Sequence, residues 1–318
     1  MKRGLIIAAI SLVSLLCSCT KEIKFNGDYD GEKLVLYSFA NPDTRLTARV
    51  YKSQFFLAKD YRYDYELIDN VELTVEVNGD RQYSFVREGK SYVSEYVPQE
   101  GDHIKVTASH KDFKTVYGET DVPKRPEFGI GSYKVTPAPS QGGSTRLEFD
   151  LTIQDPEGEE NYYRLNAWQY QQGFEWDEDE EAEFLWYNQN IYSNDAIFNS
   201  AQLGSYIDRI DGSDSMVPDF FDDGAFDGSS HCFRIWMNLY LEEGKSEGDI
   251  RPEDFKVAVD AVSESYYRYS LSREAAYNMD GIAEVFGEPV SIYNNIVNGI
   301  GCVGAVSSLQ LSFDGRYQ

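Results

Sequence analysis

The chain has 318 residues, with 29 Lys or Arg against 54 Asp or Glu, a formal charge of −25, and 42% of its residues are hydrophobic. That is enough apolar material for about two domains of the usual ~100–200 residues, and the aromatic share of 14%, including 24 Tyr, excludes a disordered chain. So negative a charge repels phosphate backbones and anionic headgroups, which excludes nucleic acid as a partner and requires any membrane attachment to come from elsewhere.

The first residues are Lys2 and Arg3, followed by an uncharged, mostly apolar run over 5–16 and then Cys17-Ser18-Cys19. A basic start, a short apolar run and a small residue before the cleavage point are what export machinery reads. The run falls short of the ~20 apolar residues that span a bilayer. Residues 16–19 resemble a bacterial lipobox, in which the small Ser18 admits the peptidase and the Cys19 thiol carries a diacylglyceryl group. This reading makes 1–18 a signal peptide and 19–32 a tether, with two or three acyl chains on Cys19 holding the protein at a membrane. Loss of Lys2 and Arg3 with the signal leaves 27 − 54 = −27 charges. Thr20-Lys21-Glu22 resembles a surface-export tag, so the expected address is the outer membrane, facing outward. A plain secretory signal with two incidental cysteines is the alternative.

Short β-branched and aromatic runs punctuated by turn residues predict strands over 33–39, 44–52, 70–77, 81–87, 91–96, 103–110 and 114–120. Asn78-Gly79 supplies the positive φ angles of a two-residue hairpin turn. Alternation such as Leu73-Thr74-Val75-Glu76-Val77 buries one face and exposes the other, as in a sandwich. Two prolines, Pro123 and Pro126, deny ladder donors and stiffen an extended link. The predicted organisation is a β-sandwich domain over 33–122, a linker over 123–126 and a β-rich domain over 127–318. In the latter, strands are predicted over 132–136, 145–154, 161–168, 232–241, 255–261, 290–293 and 303–313. A helix is predicted over 263–278, with Tyr266, Tyr269, Ala276 and Tyr277 near one side.

Several residue groups are candidates for chemistry. Gly299-Ile300-Gly301-Cys302-Val303-Gly304 fits a dinucleotide fingerprint on paper, but the required helix and the acid ~20 residues on are missing. A strand or turn where backbones pack closely is the better account. Asp219, Asp222, Asp223 and Asp227 lie dense enough to share a Ca²⁺, without EF-hand spacing, against the plainer reading of a solvated turn. The run 177–183 carries six acids and reads as a self-repelling exposed loop, with cation capture as the alternative. Around it stand Trp168, Tyr170, Phe174, Trp176, Trp186 and Tyr187. Exposed rings beside carboxylates suit sugar recognition, so Trp168, Trp176 and Trp186 are candidate ligand residues, against the plainer reading of ordinary core packing on strands. No Gly-x-Ser-x-Gly, His-Glu-x-x-His or Cys-His pairing is present, and Ser230, His231 and Cys232 alternate across a strand. Cys232 and Cys302, left after processing, are either a bridge or free thiols.

Four segments together resemble the Bacteroidota lipoprotein family catalogued as domain of unknown function 4249. They are Cys19-Thr-Lys-Glu-Ile-Lys-Phe leading into Lys33-Leu-Val-Leu-Tyr, Asp155-Pro-Glu-Gly-Glu-Glu-Asn-Tyr-Tyr-Arg, Phe221-Asp-Asp-Gly-Ala-Phe-Asp-Gly, and Glu288-Pro-Val-Ser-Ile-Tyr-Asn-Asn-Ile-Val-Asn-Gly-Ile-Gly. The resemblance implies a mostly β fold: an N-terminal Ig-like or carboxypeptidase-regulatory-like β-sandwich followed by a second β-rich domain with one helix. It also implies an accessory role beside a TonB-dependent transporter, and it carries no catalytic residues. The expectation is a non-enzymatic outer-membrane lipoprotein that binds a transporter or its nutrient. The rivals are a glycan- or Ca²⁺-dependent adhesive module and a carboxylate hydrolase.

Overall fold

The computed structural model describes residues 31–54, 67–137, 145–172, 184–200, 217–218, 220–239, 250–277 and 291–313. From Lys33 onward the chain is one compact unit. It is mostly β, with two apolar cores, and it has the N-terminal sandwich and second β-rich part with one helix expected from the sequence.

The first core is enclosed by β1 (Leu34–Ala40), β2 (Thr47–Lys52), β3 (Glu72–Val77), β4 (Arg81–Glu88), β5 (Ser91–Ser94), β6 (His103–Ser109) and β7 (Val116–Asp121). Strict alternation in β1, β3 and β6 sends Leu36, Val75, Val77, Ile104 and Val106 inward. Asn78 and Gly79 do adopt positive φ, 55° and 76°. Val77 pairs with Arg81, however, so the loop has Asp80 as a third member rather than two residues. β4 turns the corner between layers: residues 81–84 pair with β3 and residues 85–88 with β5.

The second core lies between two sheets. One has the order β12 (Ile191–Ser193), β14 (Ser230–Leu239), β9 (Thr145–Gln154), β8 (Glu127–Pro137). The other runs β11 (Phe184–Asn188), β10 (Tyr162–Gln172), β15 (Phe255–Val262), β16 (Ile300–Ser312), with β13 (Phe220–Asp222) also on β10. Phe149, Phe233, Phe255 and Phe221 are buried between them. Helix α1 (Glu264–Tyr277) follows β15 directly; its Tyr266 and Tyr269 pack on Phe39 of β1 at 5.2 and 6.0 Å. Tyr277 is exposed, not part of that side.

Residues 122–126 carry the chain from the first core to the second, and β16 carries it back. Residues 300–305 of β16 pair in parallel with β1, while 306–312 pair antiparallel with β15. Val303 and Ala305 are therefore core residues of the first sandwich, and Phe313 of the second. The glycines of this strand serve close packing: a Cβ on Gly301, at φ +126°, would lie 2.0 Å from the Leu36 carbonyl oxygen. A Cβ on Gly304 would meet that of Tyr266 at 2.9 Å.

The strand predicted over 290–293 is not formed in its described part. Just beyond it the Asn295 side chain bridges β7 and β16, donating from Nδ2 to the carbonyls of Glu119 and Val303 and accepting from the Val303 amide. β11, β12 and β13 were not predicted. β12 and β13 have only three residues each, and β11 has no apolar–polar alternation.

Candidate functional site

On β10 the odd residues 163, 165, 167 and 169 are buried in the second core, which turns Trp168 and Tyr170 to the outer face. Cross-strand pairing sets Tyr170 beside Trp186 of β11 and Trp168 beside Lys256 of β15. A ring cluster results: Tyr170 lies 5.2 Å from Trp186 and 5.4 Å from Phe184, centroid to centroid. Phe184, Tyr170 and Trp186 are 45%, 38% and 36% exposed, and Trp168 is half-buried. Of the three tryptophans singled out from the sequence, Trp168 and Trp186 thus share one sheet face. Trp176, like Phe174 and the run 177–183, lies outside the described residues. Phe184 and Lys256 escaped the sequence reading because only strand pairing brings them there. Lys256 places its Nζ 4.2 Å from the Trp186 ring centre and 5.2 Å from that of Trp168. Burial lowers its pKa.

The aspartates group differently from their order in the chain. Asp222 and Asp223 are neighbours and point to opposite sides. Asp222 accepts from the Gly224 amide at 3.1 Å and the Tyr267 hydroxyl at 3.4 Å. Asp223 is buried and joins Asp155 and Asp227, with one carboxylate oxygen of each within 4.8 Å of the others. Asp155, not foreseen as a member, comes from the turn before β10; it accepts from the Tyr163 hydroxyl at 2.6 Å and the Gly228 amide at 3.0 Å. Asn161 N–H donates to Asp223 at 2.8 Å and Gly158 N–H to Asp227 at 3.0 Å. No basic side chain among the described residues pairs with any of the three. Burial, then the charges of Asp155 and Asp227, raise the Asp223 pKa against the opposing Asn161 hydrogen bonds. Asp219 lies outside the described residues.

A cleft of about 870 Å³ opens where the two cores meet, with Glu119 and Lys124 on one side and Glu159, Glu160, Tyr162 and Glu264 on the other. Its carboxylates are partly neutralised: Glu119 pairs with Lys105 at 2.8 Å and Glu264 with Arg268 at 3.1 Å. Neither His nor Cys is among its described lining residues. His231 is elsewhere, its Nε2 2.9 Å from Asp195 and its ring against Phe233. Cys232 is exposed and Cys302 buried, both as free thiols, and burial pushes the Cys302 pKa up to about 12.

Fold and surface define a mostly β protein of two apolar cores joined through one long strand, with an aromatic face on the outer side of one sheet. The chain belongs to the family described as Domain of unknown function (DUF4249), which matches residues 20–312. No curated protein and no solved structure matches it. Cys19 and the rest of residues 1–30 lie outside the described residues. No helix among the described residues is long and apolar enough to cross a membrane.

Proposed function

We propose that this chain is a non-enzymatic lipoprotein, anchored through Cys19 in the outer membrane and facing outward, that serves as the accessory binding component of a TonB-dependent transporter. In this reading the face bearing Trp168, Tyr170, Phe184 and Trp186 holds a saccharide for uptake. The exposed ring cluster carries the reading: three of its four rings are more than a third exposed although a second core lies directly beneath the sheet, and stacked rings are what an apolar sugar face binds. The lipobox resemblance supports the anchor, and the family resemblance supports the transporter.

The test is native co-purification of the full chain, tagged after Gln318 and extracted gently from outer membranes. A stoichiometric TonB-dependent transporter that is lost with Cys19→Ala is the expected result. A protein that elutes alone, or that remains membrane-bound without the Cys19 thiol, refutes the transporter or the anchor, respectively. A second reading, a Ca²⁺-dependent module, is favoured by the convergence of Asp155, Asp223 and Asp227.

A further inference from the structure

Lys256 is the cation that stands beside the exposed rings. Along the outer face of β10, β11 and β15 the other cation, Arg164, is neutralised by Asp260, Nη2 to Oδ2 2.6 Å. Lys256 has no carboxylate partner among the described residues, although the chain holds 54 acids. It is held instead by the π faces of Trp168 and Trp186. Part of its hydration is lost there, and desolvation alone displaces its pKa. A fixed, partly dehydrated ammonium beside exposed rings offers a charge that a bound anion completes.

We infer that the ring face takes a carbohydrate bearing a carboxylate, with the sugar rings stacked on Tyr170, Trp186 and Phe184 and the carboxylate at the end held by Lys256. This rests on the saccharide reading above. The net charge of −25 does not forbid it. At physiological salt the screening length is about 8 Å, so exposed charges farther than that from Lys256 are largely screened there.

The test is titration calorimetry of the detergent-solubilised full chain with two pairs of probes, sialyllactose against lactose and oligogalacturonate against its methyl ester. The expected result is that an acid binds about tenfold more tightly than its neutral counterpart. Lys256→Gln should bring the two within about twofold, Lys256→Arg should keep the preference, and Trp186→Ala should weaken both. Unaltered melting of Lys256→Gln confirms that its fold is intact. Equal binding of acid and neutral sugars by the native chain, or a preference that survives Lys256→Gln, overturns the carboxylate inference and leaves the saccharide reading standing. No binding of any probe overturns both.

Discussion

Gly301→Ala is the sharpest test of β16 as the strand that completes both cores. Two costs add at this position. An alanine at φ +126° occupies backbone space that L residues rarely adopt, which costs on the order of 1–3 kcal/mol. Its Cβ would also sit 2.0 Å from the Leu36 carbonyl oxygen and 2.8 Å from the Leu36 carbonyl carbon, both backbone atoms that no rotamer change can move. Relieving that clash requires β16 to move off β1. The register Leu36↔Gly301 lies inside the parallel ladder, so one or two hydrogen bonds are lost there at about 1 kcal/mol each. The expected loss is roughly 2–5 kcal/mol. The control is Gly129→Ala on β8, where an added Cβ meets nothing within 4 Å and φ is not in the left-handed region; its expected effect is within about 0.5 kcal/mol. Urea unfolding of both variants, with midpoints compared at constant slope, gives the difference. A Gly301→Ala loss below about 1 kcal/mol relative to Gly129→Ala would refute the close approach of β1 and β16.

Other perturbations test the second core and its surfaces. Arg164→Ala leaves the buried Asp260 carboxylate with only the Asn166 amide donor at 2.9 Å, at an expected cost of ~3 kcal/mol, whereas Arg164→Met combined with Asp260→Asn should cost clearly less than the two single changes summed. Burial raises the Glu148 pKa, but hydrogen bonds from Lys134, Arg146 and Thr136 outweigh it and hold it down at about 2, against an ordinary 4.5. Its stabilisation is therefore present above pH 4.5 and lost as pH falls toward 2, and Glu148→Gln should flatten that limb of the melting curve against pH. Asp223 acts in the opposite sense: with its pKa raised above 3.8, its contribution is full below that pH and lost as pH rises through the raised value. In EDTA at neutral pH Asp223→Asn should raise the melting temperature. In millimolar CaCl₂ the native chain should melt higher than in EDTA, and that gain should vanish in the variant; no Ca²⁺ effect on the native chain refutes the cation reading.

Much of the framework can be read from local pattern. Period-two alternation identified β1, β3, β6 and β9 because one buried face imposes it residue by residue. The Asn78-Gly79 turn was legible because positive φ restricts which residues serve there, although its third member, Asp80, was not. The crowded glycines of β16 were legible as a close-packed strand once the lack of a downstream helix and acid excluded a nucleotide fold.

The sites were not legible in the same way, because they are made by pairing rather than by spacing. Trp168, Trp186 and Lys256 come from three strands, and only the β11-β10-β15 register sets them on one face. Asp155 meets Asp223 because two turns far apart in the chain pack against each other, while Asp222, adjacent in sequence, points away. The division at Pro123 and Pro126 marked where the chain leaves the first core, yet nothing local to 300–312 announced that one strand would serve both cores. Composition, strand and turn chemistry act over a few residues and are written in the chain. Register between distant strands is chosen by burial of whole faces, and only the folded structure decides it.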